Sequence, residues 1–480
     1  MATKNNEPQA LHSMAAVSLE ALVKEEYRTY QIYTLMDRAI PYLQDGLKPS
    51  QRRILFTLWK NSNKGLIKVS SLTGLVLTLH PHGPASVEQS IVNLAQDYIF
   101  SNNYPLIDKK GYFGERMETQ AAAARYIECK NGKVAELLLF DDMNQVEMVP
   151  NYDEKVMEPV GLLPKLPIML LNGAEGIGTG FSSVIPSFNH EDIVKSMISF
   201  VETGKIKKIK PYYRYYTDKI EIDDKGRIIT KMAFKQVGEK IFITEVPKGY
   251  DAQKIYRHLN KHMDNDFLKD YIDSSVDNTI NIELLFKRGQ TPTLEEVEKT
   301  MGVSSSIVPN YTLITEKGVK VFHTVEEILE VFTVQRVAVT KRRYELLIKD
   351  YEDRLTKNNE IIRFIKEKHY AIAEKKANRK DYVDYLIKSK FVYAEYLADM
   401  AIYRMTKEEV EKRLLLIKEE TAALNEFKKI LKSPEQLKKK LIEELEDVSK
   451  KLSAIMDEKE KEKKKSREKN PKAAPSKTRQ

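Results

Sequence analysis

One cysteine and one tryptophan in 480 residues narrow the possible chemistry. Cys129 alone can neither close an intramolecular disulfide nor build a cysteine zinc site, and such a chain fits a reducing compartment. No apolar run approaches the ~18 residues a spanning helix needs. Charged residues make up 31% and mean hydropathy is -0.47, which excludes an integral membrane protein. Met1 to Ser18 has neither a basic start followed by an apolar stretch nor a small-residue cleavage pattern, so the chain reads as unsecreted.

Acidic excess is also missing: the net charge is +9. Lys461 to Gln480 carries nine Lys/Arg and two Glu, so this segment supplies +7 and the remaining residues only +2. The segment is low in complexity and nearly free of large apolar residues, which predicts a disordered basic tail over 457–480. Overall basicity therefore does not define the partner. The length suggests two to four domains.

Leu19 to Leu43 reads as a helix that runs into Arg38-Ala39-Ile40-Pro41, with Asp45-Gly46-Leu47-Lys48-Pro49 as a turn. Three short helical patterns follow, Gln51 to Asn61, Val69 to Leu79 and Ser86 to Tyr98, the last two separated by His80-Pro81-His82-Gly83-Pro84. This is helix-turn-helix spacing, which allows the third helix to enter a major groove. From Ile185 to about Val325 the pattern alternates, as in Ile280, Ile282, Leu284 and Phe286, and Thr312 to Phe322 reads as a hairpin around Glu316-Lys317-Gly318. Helical stretches such as Ala252 to Met263 make this an α+β domain. Beyond Thr324 two long stripes of three-four apolar rhythm flank an aromatic interval, Tyr370 to Met405, which predicts an antiparallel coiled-coil arm with a small tip.

Four alanines, Ala121 to Ala124, run directly into Arg125-Tyr126. Small side chains let a backbone or nucleic acid approach, and a guanidinium beside a phenol would favour phenolate or clamp a phosphate. A tyrosine hydroxyl titrates near ~10 unperturbed, so as a nucleophile it needs such help. His80 and His82 could transfer protons or bind metal, although no Glu stands where a zincin helix places one. Arg38, Lys48, Arg52 and Arg53 form a basic series that could grip phosphates. The glycine-rich run Asn172 to Gly180 lacks the Gly-Lys-Ser/Thr ending of a P-loop, and close backbone packing is its favoured use over nucleotide binding.

Taken in order, Arg38-Ala39-Ile40-Pro41, Asp45-Gly46-Leu47-Lys48-Pro49, Gln51-Arg52-Arg53, His80-Pro81-His82-Gly83, Gly111-Tyr112-Phe113-Gly114, Ala123-Ala124-Arg125-Tyr126 and Asn172 to Gly180 resemble the breakage-and-reunion subunit of type IIA DNA topoisomerases. The DNA-cleaving subunits of gyrase and topoisomerase IV and the medium subunit of large tailed bacteriophages represent it, and the wording is closest in style to the viral kind. The resemblance runs from about Val23 to about Leu452, and Met400 to Thr406 resembles the junction after the exit-gate tip.

The resemblance implies a multidomain α+β fold. Its parts are an N-terminal arm (1–22), a winged-helix breakage-reunion domain (23–184), an α/β tower (185–325), a coiled-coil arm (326–369 and 405–456) and an exit-gate dimerisation tip (370–404), with the tail at 457–480. It implies that Tyr126 attacks a phosphodiester and holds the 5′ end as a phosphotyrosyl ester. Arg125 would neutralise the scissile phosphate, Arg38 and His80 would position or protonate the reacting groups, and Lys48, Arg52, Arg53 and His82 would hold DNA. Ile185 would be the wedge that inserts between base pairs. Two copies would make a staggered double-strand break for relaxation or decatenation.

No acidic cluster of the Asp-x-Asp kind that holds Mg²⁺ in the family stands out, and no ATPase signature. Mg²⁺ and ATP are therefore expected on a partner subunit, with double-stranded DNA and a second copy of this chain as the other partners. Ala85 and Gln89 replace the serine and acid that anchor quinolones in gyrase-like members, which predicts weak quinolone response. A DNA-wrapping domain is not expected. The alternative function is a non-catalytic protein that bends and bridges DNA. The expected compartment is the cytoplasm of a bacterial cell or virus-infected host, or else a nucleus.

Overall fold

The computed structural model describes residues 19–216, 218, 220–289 and 292–469. Most of the proposed N-terminal arm and the last eleven residues of the tail lie outside them.

The first body is a winged helix. Helices Pro49–Lys60, Val69–Val76 and Pro84–Ala95 pack beside a three-stranded antiparallel sheet in which Glu128–Asn131 lies between Ile67–Lys68 and Ile107–Lys110. Pro49 and Pro84 each stand in the first turn of their helix, where the missing N–H costs nothing. The apolar faces of all three helices meet in a core that includes Ile54, Leu55, Leu58, Leu72, Val76, Val87 and Ile91.

That core extends past the proposed boundary at 185. Ile185, Phe188 and the inner face of the helix His190–Thr203 belong to it, as do Leu313 and Phe322 of the hairpin Tyr311–Thr315/Gly318–Phe322. The tower has its own core, centred on a four-stranded antiparallel sheet, Ala233–Val237, Lys240–Glu245, Ile282–Leu285 and Asp270–Asp273 in spatial order, backed by helices Ala252–Asp264 and Leu294–Met301.

The arm is a 42-residue helix, Val325–Lys366, packed along Lys407–Lys432. Pairs run in opposite directions, Glu352 with Lys428 (2.6 Å) and Asn358 with Glu420 (3.2 Å) and Arg413 (2.7 Å), so the two helices are antiparallel. At about 1.5 Å per residue the longer helix reaches roughly 60 Å. Its end joins the tip, whose core is Ile361, Phe364, Tyr382, Leu386, Phe391 and Leu397.

Two expectations change at the C-terminal side. Residues 434–456 are not arm: Ser433 ends the returning helix, and a separate helix, Pro434–Lys469, buries Leu441, Leu445, Val448, Leu452 and Met456 in the first body's core. Proline has no N–H to continue the preceding helix, so the rhythm restarts in a new direction. Nor is 457–469 disordered, because the same helix continues through it. Its polar side chains are matched by the body beneath: Lys133 to Glu458 (2.7 Å), Lys459 to Asp108 (2.7 Å), Arg214 to Glu460 (2.7 Å) and Lys463 to Asp97 (2.5 Å). Burial alone would raise the Asp97 carboxyl, yet Lys109 and Lys463 outweigh it and hold it below the ordinary carboxylate range.

A buried charge cluster joins arm to body. Arg336 and Arg343 of the arm both bind Asp142 (2.8 and 2.6 Å) and Glu444 of the last helix (3.1 and 3.0 Å).

Candidate nucleic-acid cleavage site

Tyr126 sits on a turn just before the central strand of the wing. The helix Val69–Val76 fixes that turn with its first N–H groups: Val69 N donates to the Ile127 carbonyl (3.0 Å) and Ser70 N to the Ala124 carbonyl (3.2 Å). Helix N-terminal donors have no partner within the helix, so carbonyls on either side of Tyr126 satisfy them. The tyrosine side chain is 69% exposed. The Arg125 guanidinium lies over its ring, 4.9 Å from the centroid, and is itself exposed. A phosphate at this turn would meet a guanidinium and the positive end of a helix.

His80 lies at the opposite end of the same helix, its N–H donating to the Val76 carbonyl (3.0 Å). An eight-residue helix separates the two ends by about 10 Å. One chain therefore places Tyr126 and Arg125 together but leaves His80, His82, Arg53 and Arg38 in a second group. In that group Arg53 grips Glu158 through two bonds (2.6 and 2.8 Å) and donates to His80 Nδ1 (3.0 Å). A guanidinium can only donate, so Nδ1 accepts and the His80 proton sits on Nε2. Burial, then the charges of Arg53, His82 and Arg38, hold the His80 pKa down to about 4. Near neutrality His80 is therefore a hydrogen-bond donor, which suits the positioning half of the role expected of it. The His82 ring meets it edge-on, 4.4 Å between centroids. Arg38 is exposed and has no ion pair among the described residues.

Two basic residues are not the phosphate grips expected. Arg52 is buried and bound to Asp45 (2.6 Å), which also accepts from the N–H groups of Leu47 (3.1 Å) and Leu162 (3.0 Å). The Asp45-to-Arg52 motif is thus a folded turn whose charge is spent internally. Arg53 is likewise committed to Glu158 and His80. Lys48, half-buried and with its pKa lowered by burial, donates to the Glu175 carbonyl (2.8 Å).

That carbonyl belongs to the glycine-rich run, which forms a hairpin, Ala174–Ile177 paired with Ser182–Ile185. A Cβ on Gly176 would fall 1.9 Å from the Ala39 carbonyl oxygen, and one on Gly178 2.5 Å from Leu35. The glycines let the hairpin lie against the 35–39 turn and leave no cradle for a nucleotide phosphate. Ile185 is only 3% exposed, within the core, so it cannot serve as the wedge; Ile177, at the hairpin tip, is 89% exposed. The sequence does carry this distinction. Ile177 precedes the Gly178-Thr179-Gly180 turn, whereas Ile185 leads into Pro186 and the core-forming Phe188. The helix Pro84–Ala95 presents Ala85, Ser86, Gln89 and Asn93 to solvent, a polar face suited to base edges.

One Asp-x-Asp spacing occurs, Asp264-Asn265-Asp266, but Asp266 is paired with Lys287 (2.6 Å) in the tower. Among the described residues no three His, Cys, Asp or Glu side chains converge as a metal site requires. Among those residues no helix is long and apolar enough to cross a membrane.

Fold and site together define a winged-helix protein with a solvent-facing tyrosine at its wing, an apolar-tipped hairpin and a coiled-coil arm. The chain belongs to the DNA gyrase/topoisomerase IV A-subunit family, whose model matches residues 38–446. It is 32% identical over 368 residues to a mitochondrial DNA topoisomerase 2 of Dictyostelium discoideum, covering 74% of this chain and 28% of that protein. With DNA topoisomerase 2 of Saccharomyces cerevisiae it shares 30% identity over 365 residues, 72% of this chain and 26% of the relative. The chain thus spans about a quarter of these curated relatives. Among solved structures, the DNA-binding, cleavage and re-ligation domain of Plasmodium falciparum topoisomerase II superposes with a TM-score of 0.77 at 25% identity, covering 92% of this chain and 65% of that one.

Proposed function

We propose that this chain is the DNA-cleaving and religating part of a type II DNA topoisomerase, and that two copies complete its site. The observation that carries this reading is the exposed Tyr126 beside Arg125, on a turn held by a helix N-terminus. In the forward step the Tyr126 oxygen bonds to phosphorus, the bond from phosphorus to the 3′ oxygen breaks, and the phenol proton ends on the departing 3′ hydroxyl. The 5′ end remains on the enzyme as a phosphotyrosyl ester, and reversal reseals the strand without further energy. Arg125 and the helix terminus stabilise the added negative charge.

The second group acts on the partner's half of the site. A second copy would bring its exposed Arg38 and the Nε2–H of its His80 toward the phosphate held by the first copy's Tyr126, each site being shared. Ile177 inserts between base pairs and bends the duplex. Ile387 and Val392, exposed on the tip, supply apolar surface for the dimer contact away from the DNA. Type II topoisomerases use Mg²⁺ and ATP, and on this reading a partner polypeptide brings both.

The test is covalent trapping: the chain, a metal- and ATP-binding partner, Mg²⁺ and plasmid are mixed, denatured and digested with protease. Linear DNA with protein-linked 5′ ends is expected from the wild type and none from Tyr126→Phe. Bending without any cleavage by either chain would favour the architectural alternative.

A further inference from the structure

After the helix His190–Thr203 the chain reads Lys205-Ile206-Lys207-Lys208-Ile209-Lys210. The two isoleucines turn inward and pack against the first body's core, while all four lysines are exposed. None of the four ammonium groups has an ion-pair or hydrogen-bond partner among the described residues, unlike neighbouring Lys195, bound to Glu191 (3.4 Å), and Arg214, bound to Glu460 (2.7 Å). The segment is nonetheless held in place. Ser196 Oγ donates to the Lys207 carbonyl (2.8 Å) and accepts from its N–H (3.1 Å). Further on, Tyr212 N donates to the Ser187 carbonyl (2.8 Å) and Ser187 Oγ to the Tyr212 carbonyl (2.9 Å). The ridge therefore runs back along its helix toward Ser187, two residues past the hairpin that carries Ile177.

We propose that Lys205, Lys207, Lys208 and Lys210 form a second, sequence-independent site for the phosphate backbone of duplex DNA, outside the cleavage surface. This rests on the function proposed above. Unpaired cations on an ordered backbone are what phosphate binding requires, since the gain comes from counterion release and needs no complementary apolar surface. A protein partner would need an apolar centre to bury, and here the apolar side chains face inward. If extended, five residue steps cover roughly 17 Å, enough to follow about five base pairs. Starting at the foot of the hairpin, the ridge engages DNA that continues beyond the bent segment.

The experiment compares the full chain with the quadruple variant Lys205→Gln, Lys207→Gln, Lys208→Gln, Lys210→Gln on duplexes of about 20 and about 60 base pairs, over roughly 50 to 200 mM salt. On the long duplex the slope of log affinity against log salt should become shallower by about 3.6, at about 0.9 for each of four phosphate contacts. The short duplex should be bound as by the wild type, and the matching Lys→Arg variant should keep the wild-type slope. An unchanged long-duplex slope overturns the ridge while wild-type binding of the short duplex leaves the function reading standing. Equal loss on both lengths overturns the claim of a separate site. Failure of the wild type to bind either duplex sinks the function reading and the ridge with it. Because all four side chains are exposed, the melting temperature should not move.

Discussion

Arg53 donates a hydrogen bond to His80 Nδ1 at 3.0 Å while both its other bonds go to Glu158. The arginine thereby sets the tautomer of the histidine and opposes its charging. The His80 pKa in the fold, about 4, lies below its ordinary value of 6.5. As pH falls, the unfolded chain takes up that proton first, so the fold loses stability between 6.5 and about 4 and loses no more below it. The loss from this group should reach up to about 3 kcal/mol. Urea unfolding at several pH values checks it: His80→Gln should flatten that part of the profile, and a profile unchanged by the substitution contradicts it. Cleavage should show no inflection from His80 near pH 6.5.

The two hairpin isoleucines separate bending from stability. Ile177→Ala removes an exposed side chain and should leave melting within about 0.5 kcal/mol of wild type while reducing DNA bending in an end-to-end fluorescence transfer assay. Ile185→Ala removes a core side chain and should cost about 2–5 kcal/mol. The reverse pattern would restore Ile185 as the wedge.

Gly176→Ala tests the hairpin's seat. A Cβ 1.9 Å from the Ala39 carbonyl oxygen cannot be accommodated without moving the hairpin off the 35–39 turn. Bending and cleavage should both fall although neither Tyr126 nor Ile177 is touched. Wild-type levels of both would show that the turn and hairpin need not be in contact.

Much of this was legible from residue patterns. The turns ending at Pro49 and Pro84 mark where helices begin, the Thr312–Phe322 hairpin turns where Gly318 stands, and Ala123-Ala124-Arg125-Tyr126 marks an open turn. What the pattern could not supply was the use of each charge. Arg52 and Arg53 look like a phosphate grip until the turn folds Asp45 back onto Arg52 and Glu158 comes from a distant strand to neutralise Arg53. Likewise the apolar rhythm of residues 434–456 is the same whether it faces another arm helix or the first body's core. Only Pro434 signals the change of direction. The basic stretch that follows folds because Asp97, Asp108, Lys133 and Arg214 await it on the surface.

Asp142 is the charge on which the arm's root depends. Asp142→Ala leaves Arg336 fully buried and short of its carboxylate, and breaking a buried pair from one side costs about 3–5 kcal/mol. Thermal melting should show that loss. Replacing Asp142, Arg336 and Arg343 together by apolar residues should recover part of it, and no recovery would argue against an unpaired charge as the cause.

Sharing of the site between two copies is the central claim, and mixed dimers test it most directly. A Tyr126→Phe chain is co-assembled with an Arg38→Ala chain, and the products on plasmid are trapped as protein-linked breaks. If Tyr126 of one copy works with Arg38 of the other, the mixed dimer holds one intact site and one dead site, and single-strand nicks accumulate at about half the wild-type number of linked ends. If each chain's site is self-contained, neither copy has both residues, and the mixed dimer should cut no better than the Arg38→Ala homodimer.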